Sequence, residues 1–130
     1  MKDISKQMLE DIYTAAFNKE LAARAGEGYI VTDDNGHEIG HDTGVGKFYL
    51  CGFTGLHYYC NTPAGRTTHK IIKLLGFKPS KNYYGGFNFY LDSARQHSNG
   101  MYEIMNAGYQ AVARFLNEQG LDVGIDTRLD

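Results

Sequence analysis

His37-Glu38-Ile39-Gly40-His41 has the H-E-x-x-H spacing of a zinc metallopeptidase. That chemistry needs both histidines on one face of a helix, with the glutamate beside a metal-bound water. The surroundings argue otherwise. Asp33-Asp34-Asn35-Gly36 precedes the segment and Asp42-Thr43-Gly44 follows it, with almost no apolar flank. Asn-Gly is a strong hairpin-turn signal, so the segment is expected to be the return strand of a hairpin over 28–42. A zinc hydrolase is the least favoured function. Gly44-Val45-Gly46-Lys47 is no phosphate loop, because that pattern needs Gly at 41 and Ser or Thr at 48, where His41 and Phe48 stand. Asp92, Ser93 and His97 supply triad residue types, but no Gly-x-Ser-x-Gly turn holds the serine. Triads also join residues distant in sequence. No catalytic residue, metal ligand or cofactor is therefore expected.

Binding residues are better placed. Gly65-Arg66-Thr67-Thr68 falls in the first turn of an expected helix that follows a strand. The first N–H groups of a helix are unpaired, and its dipole favours an anion there. Arg66 adds a fork that matches phosphate oxygens, and Thr67 and Thr68 add hydroxyls. The plainer alternative is an exposed arginine on a solvated helix start. His97-Ser98-Asn99-Gly100 opens a second such helix, with Ser98 or Asn99 as its cap. The Asn99 amide could also read a base or ribose edge. Phe87, Phe89 and Tyr90 lie just upstream, and aromatic faces beside an Asn and an Arg suit a nucleotide. Arg128, near the C-terminus, either pairs with a carboxylate or serves as a second phosphate ligand.

The elements that must hold these residues follow from periodicity and punctuation. Residues 3–25 read as a helix, with Asp3 as cap and Gly26 as stop. The hairpin over 28–42 follows, then a glycine-rich connection. Residues 47–59 are apolar on both faces and read as a central strand. Thr62-Pro63 is a cap followed by proline at the first helical position, and that helix runs to about Leu75 with Gly76 as stop. Lys78–Gly86 reads as a loop and Phe87–Leu91 as a strand. Met101, Ile104, Met105, Gly108, Ala111, Val112, Phe115 and Leu116 keep helical spacing closely. Gly120 ends that helix, and Leu121–Leu129 is a closing strand. The expected fold class is α+β: an N-terminal helix and hairpin over 1–46, then a β-α-β-α-β layered sandwich over 47–130, all in one domain.

Bulk properties narrow the function. The chain has 130 residues and a formal net charge of −2, enough for one core and a poor match to a general DNA or RNA binder. Cys51 and Cys60 form no CxxC pair, and no signal peptide is read at the N-terminus, so reduced thiols in a cytoplasmic protein are expected. No apolar run has the length of a membrane span. Tyr is abundant at 10, Phe numbers 7 and Trp is absent. Tyrosine suits cores, subunit contacts and ring stacking alike.

Cys51-Gly52-Phe53, Pro63-Ala64-Gly65-Arg66, Tyr83-Tyr84-Gly85-Gly86-Phe87 and the ending Arg128-Leu129-Asp130 resemble a group of small phage proteins over residues 47–130. In size, layout and site chemistry the chain is also similar to phage anti-Thoeris sponge proteins. Those hold a cyclic ADP-ribose-type signal away from host immune effectors without degrading it. Some relatives hold cyclic oligonucleotides, and they assemble as oligomers. The resemblance implies a non-enzymatic, homo-oligomeric binder of a small nucleotide signal in an infected bacterium. It implies stacking by Phe89 or Phe87, reading by Asn99, and phosphate contacts from Arg66 and Arg128. The alternative is a phage or virion-associated protein that binds another protein through a Tyr-rich surface.

Overall fold

The computed structural model describes residues 3–24, 29–32, 34–35, 38–42, 52–97 and 101–129. Helix α1 spans Lys6–Arg24 and buries Leu9, Tyr13 and Phe17 at four-residue spacing along one stripe. Its cap is Ser5 rather than Asp3: the Ser5 Oγ accepts the Met8 N–H at 3.1 Å. Strands β1, Tyr29–Thr32, and β2, Glu38–Asp42, pair antiparallel. The stretch from Glu38 to His41 is thus the return strand of a hairpin, without the helical face that zinc hydrolysis requires. His37 lies outside the described residues.

The larger sheet contains β3, Gly52–Tyr58; β4, Ser80–Lys81; β5, Phe87–Phe89; and β6, Gly124–Leu129. Their order is β4-β5-β3-β6 with every pair antiparallel, so β3 is central, as its two apolar faces require. Helices α2, Pro63–Leu74, and α3, Tyr102–Glu118, complete the fold. The class is α+β. Several boundaries differ from expectation. The loop over 78–86 holds the short strand β4, β5 stops at Phe89, and a 3-10 turn occupies Asp92–Gln96. Helix α3 begins at Tyr102, and Ser98 and Asn99, its expected caps, lie outside the described residues. Among the described residues, no helix is long and apolar enough to cross a membrane.

Register decides which side chains face the core, because side chains alternate along a strand. Leu56 sits opposite Phe89 and Tyr58 opposite Phe87, on the face that α2 and α3 cover. There His69 of α2 meets Tyr58 and Phe87, and Asn106 of α3 meets Thr54. Three tyrosines, Tyr13, Tyr58 and Tyr109, are among the largest fully buried side chains. Each hydroxyl has a partner: His97 Nδ1 at 2.9 Å, His69 Nδ1 at 2.6 Å and the Leu91 N–H at 3.2 Å, respectively. A buried hydroxyl left unpaired would cost about 1–3 kcal/mol. Burial raises all three phenols above the ordinary tyrosine range, Tyr109 to about 12.

The opposite sheet face carries Phe53, Gly55 and His57 of β3, Asn88 of β5, and Asp126 and Arg128 of β6. Asp126 Oδ2 accepts from Asn82 and Asn88, both at 3.0 Å, and from Arg128 at 3.1 Å. Burial pushes this carboxyl upward, but the bonds from Asn88, Asn82 and Arg128, with the arginine's charge, outweigh it and hold the group below the usual range. One carboxylate thereby ties β6 to β5 and to the loop after β4, across the central strand.

Candidate ligand-binding site

One aromatic cleft arises from a mismatch in strand length. Strand β5 stops pairing at Phe89 opposite Leu56, whereas β3 stays paired with β6 down to Gly52. The chain after β5 peels away and leaves a gap beside Phe53 and Thr54. This gap is a cleft of about 380 Å³ lined by Phe53, Thr54, Tyr90, Arg95, His97 and Tyr109, with Ala94 and Met105 below. Such a volume lies at the small end of ligand pockets, roughly 300–1,000 Å³. Tyr90 forms one wall because Gly55 leaves room for it. A Cβ at Gly55 would come within 2.9 Å of the Tyr90 Cδ1 atom.

The departing chain is held at consecutive residues. Leu91 N–H donates to Tyr109 Oη at 3.2 Å. Asp92 N–H and Ser93 N–H donate to the two carboxylate oxygens of Glu10, at 2.6 and 3.1 Å. Glu10 is itself buried on α1, so the first helix braces the 3-10 turn that presents Arg95 and leads to His97. The His97 ring stacks flat on Phe17, with centroids 3.7 Å apart, and its Nδ1 meets the Tyr13 hydroxyl. Burial lowers the His97 pKa and favours the neutral imidazole. Its partner in this bond is a phenol rather than a carboxylate. Ser93 serves Glu10 through its backbone, and Asp92 pairs with Lys6 at 2.9 Å. Asp92, Ser93 and His97 therefore form no relay.

Tyr90 and Arg95 also line a second cleft of about 230 Å³, with Lys6, Gly76, Phe77, Lys78 and Asp92. Three cations face one carboxylate there, in a chain whose formal net charge is −2. The side chain of Arg95 is 73% exposed and reaches Asp92 only at 3.9 Å, so its donors remain accessible to a ligand. An aromatic cleft and a cation-rich cleft thus share two walls.

Among the described residues, those expected from sequence to bind do not converge. Arg66 is exposed on α2, but the first turn of that helix is largely satisfied. Thr62 Oγ1 accepts from Gly65 N–H, Thr62 O accepts from Arg66 N–H, and Pro63 has no N–H. The hydroxyls of Thr67 and Thr68 donate to the Pro63 and Ala64 carbonyls. Arg66 instead joins Lys70 and Lys73 along a groove of about 360 Å³ on α2. Phe89 is 1% exposed, with Tyr58 and Phe77 against it at 5.9 and 5.1 Å, so it has no free face for a base. Phe87 is half-buried against Tyr58 and His69. Arg128 pairs with the Asp126 carboxylate and lies 5.1 Å over the Phe53 ring. Asn99 lies outside the described residues. Sequence reasoning missed Phe53, Arg95 and Tyr109, and named Tyr90 only in passing. The available signal was position: Arg95 sits in the connection between β5 and the last helix, the junction where a ligand was expected.

Comparison with protein-family models, with curated proteins and with solved structures returned no match.

Proposed function

We propose that this chain binds a small nucleotide without cleaving it, with the ring in the aromatic cleft and the phosphates in the cation-rich one. The observation that carries this reading is the shared wall of Tyr90 and Arg95 between the two clefts. Phe53 and Tyr90 offer aromatic surface, and ring stacking contributes about 1–3 kcal/mol per base. Arg95, Lys6 and Lys78 supply charge-assisted donors to phosphate. The resemblance to phage proteins supplies the biological role: keeping a cyclic ADP-ribose-type or cyclic oligonucleotide signal from host effectors.

Titration calorimetry with cyclic ADP-ribose isomers and cyclic di- and trinucleotides tests this directly. At least one is expected to bind and to be recovered unchanged by chromatography. Arg95→Glu is expected to weaken it by roughly 10- to 100-fold, the equivalent of one hydrogen bond to a charged group. Its exposed side chain predicts an unchanged circular dichroism spectrum. Folded protein that gives no heat with any of these ligands rules the reading out.

A second reading rests on a different surface. Tyr83 and Tyr84 are 93% and 77% exposed at the turn between β4 and β5, and Tyr59 beside them is 56% exposed. Tyrosines so displayed suit a protein interface. Under this reading the ligand panel is silent, and wild-type protein retains a host or virion protein that a Tyr83→Ala, Tyr84→Ala double variant releases. Equal retention by both would exclude it.

A further inference from the structure

The two edges of the larger sheet are unequal. On one side β4 is two residues long, and short edge strands are one way that proteins prevent unwanted pairing. On the other side β6 runs for six residues, Gly124–Leu129, in unbroken register with β3. It contains no proline and no bulge, two of the devices that blunt an edge, and its two charged residues, Asp126 and Arg128, are of opposite sign. Among the described residues no strand pairs with its free side. Every second residue of such a strand presents an unpaired N–H and C=O outward.

We propose that a second copy of this chain covers this edge, with the two β6 strands antiparallel about a two-fold axis at Thr127. The sequence of β6 selects both the partner and the register. In that alignment Thr127 faces Thr127, and Asp126 of each copy faces Arg128 of the other. Moving the axis by one residue sets Asp126 against Asp126, or Arg128 against Arg128. Opposite charges across a pair stabilise and like charges destabilise, so the charge pattern favours the Thr127 axis over both slips. Asp126 Oδ2 is engaged with Asn82, Asn88 and Arg128, and Oδ1 is the oxygen left to face the partner. A groove between α3 and β6, flanked by Ala113, Asn117 and Ile125, leaves room beside the edge for the second copy. The result is one continuous eight-stranded sheet, with an interface isologous as a two-fold requires.

Light scattering after size exclusion is expected to give twice the 14.5 kDa of one chain. Arg128→Asp replaces each opposite-charge pair by a like-charge pair and is expected to weaken the dimer at least tenfold. The side chain of Arg128 is half exposed, but the variant also loses the bond to Asp126 within its own chain. Circular dichroism and an Arg128→Gln variant, expected to weaken the dimer less, therefore separate loss of fold from loss of the dimer. In a Cys51→Ser, Cys60→Ser background, Thr127→Cys places a thiol opposite its own copy. Paired Cα atoms there are about 4.5–5.5 Å apart, within disulfide reach. Oxidation is expected to cross-link it, while Thr67→Cys on α2 stays monomeric on a non-reducing gel. A wild-type chain that is monomeric throughout the concentration range overturns the proposal. So does a dimer whose Thr127→Cys form cross-links no faster than the Thr67→Cys control.

Discussion

Replacing Gly65 by alanine is expected to remove about 3 kcal/mol of stability, more than overpacking usually costs net of the gain in helix propensity. Gly65 lies in the first turn of α2, where that helix passes over the end of β3. A Cβ there would be driven into the Tyr59 carbonyl oxygen and would approach Cys60 Cα to 3.2 Å. Both obstacles are backbone, so no side-chain rotation relieves them. The neighbours cannot yield cheaply either, because Tyr58 is anchored in the core beside Tyr59, and Thr68 and Ile72 bury the same helix. Alanine in a helix gains about 1 kcal/mol over glycine, which offsets only part of the cost. Chemical denaturation measures the effect as a lower midpoint at constant slope. Gly124→Ala is the control: a Cβ there meets nothing within 4 Å, so a change within about 0.5 kcal/mol is expected. Equal effects at both positions would show that the close approach of α2 to β3 is not what glycine serves at residue 65.

Glu10→Ala is the second large effect. It strips the acceptor from the Asp92 and Ser93 N–H groups at once. An unsatisfied buried donor costs about 1–3 kcal/mol. These two are partly reached by solvent, so a loss of about 2–3 kcal/mol is expected for the pair rather than the full sum. Glu10→Gln keeps one acceptor oxygen and should lose about half as much. The variant should also blunt ligand affinity, because the turn that Glu10 holds carries Arg95 and leads to His97, two walls of the aromatic cleft. A Glu10→Ala protein as stable as wild type, judged by thermal and chemical denaturation, would sink this account of the brace.

Much of the fold was legible because its signals are local. Thr62-Pro63 marked the start of α2 with a cap and a preset φ, and the structure begins that helix at Pro63. The apolar spacing from Met101 to Leu116 marked α3, and two apolar faces marked β3 as central. The 3-10 turn ahead of α3 was not legible, for a non-local reason. It is fixed by Glu10, which lies 82 residues earlier than Asp92. Which aromatic side chains are accessible was out of reach for a related reason. Phe89 and Tyr90 are adjacent aromatics, and sequence alone does not say which one faces the helices. The register of β5 on β3 does, by setting Phe89 opposite buried Leu56. The anion site at Arg66 rested on free helix donors, yet the cap and proline that made the helix legible are the same groups that leave few of those donors free.

The placement of β3 between β5 and β6 has a consequence for how the chain is made. The first strand of the larger sheet to leave the ribosome is its centre, and its longest partner, β6, is the last to follow. At about 5–20 residues per second, synthesis separates the two by several seconds. During that interval α2 can form from local contacts, whereas the sheet, and the cleft at its end, must wait for pairings of high sequence separation. Phe53 and Leu56 therefore stand without their β6 partners in the nascent chain before that strand can zip against them, which makes β3 the stretch where chaperone engagement or misassociation would begin.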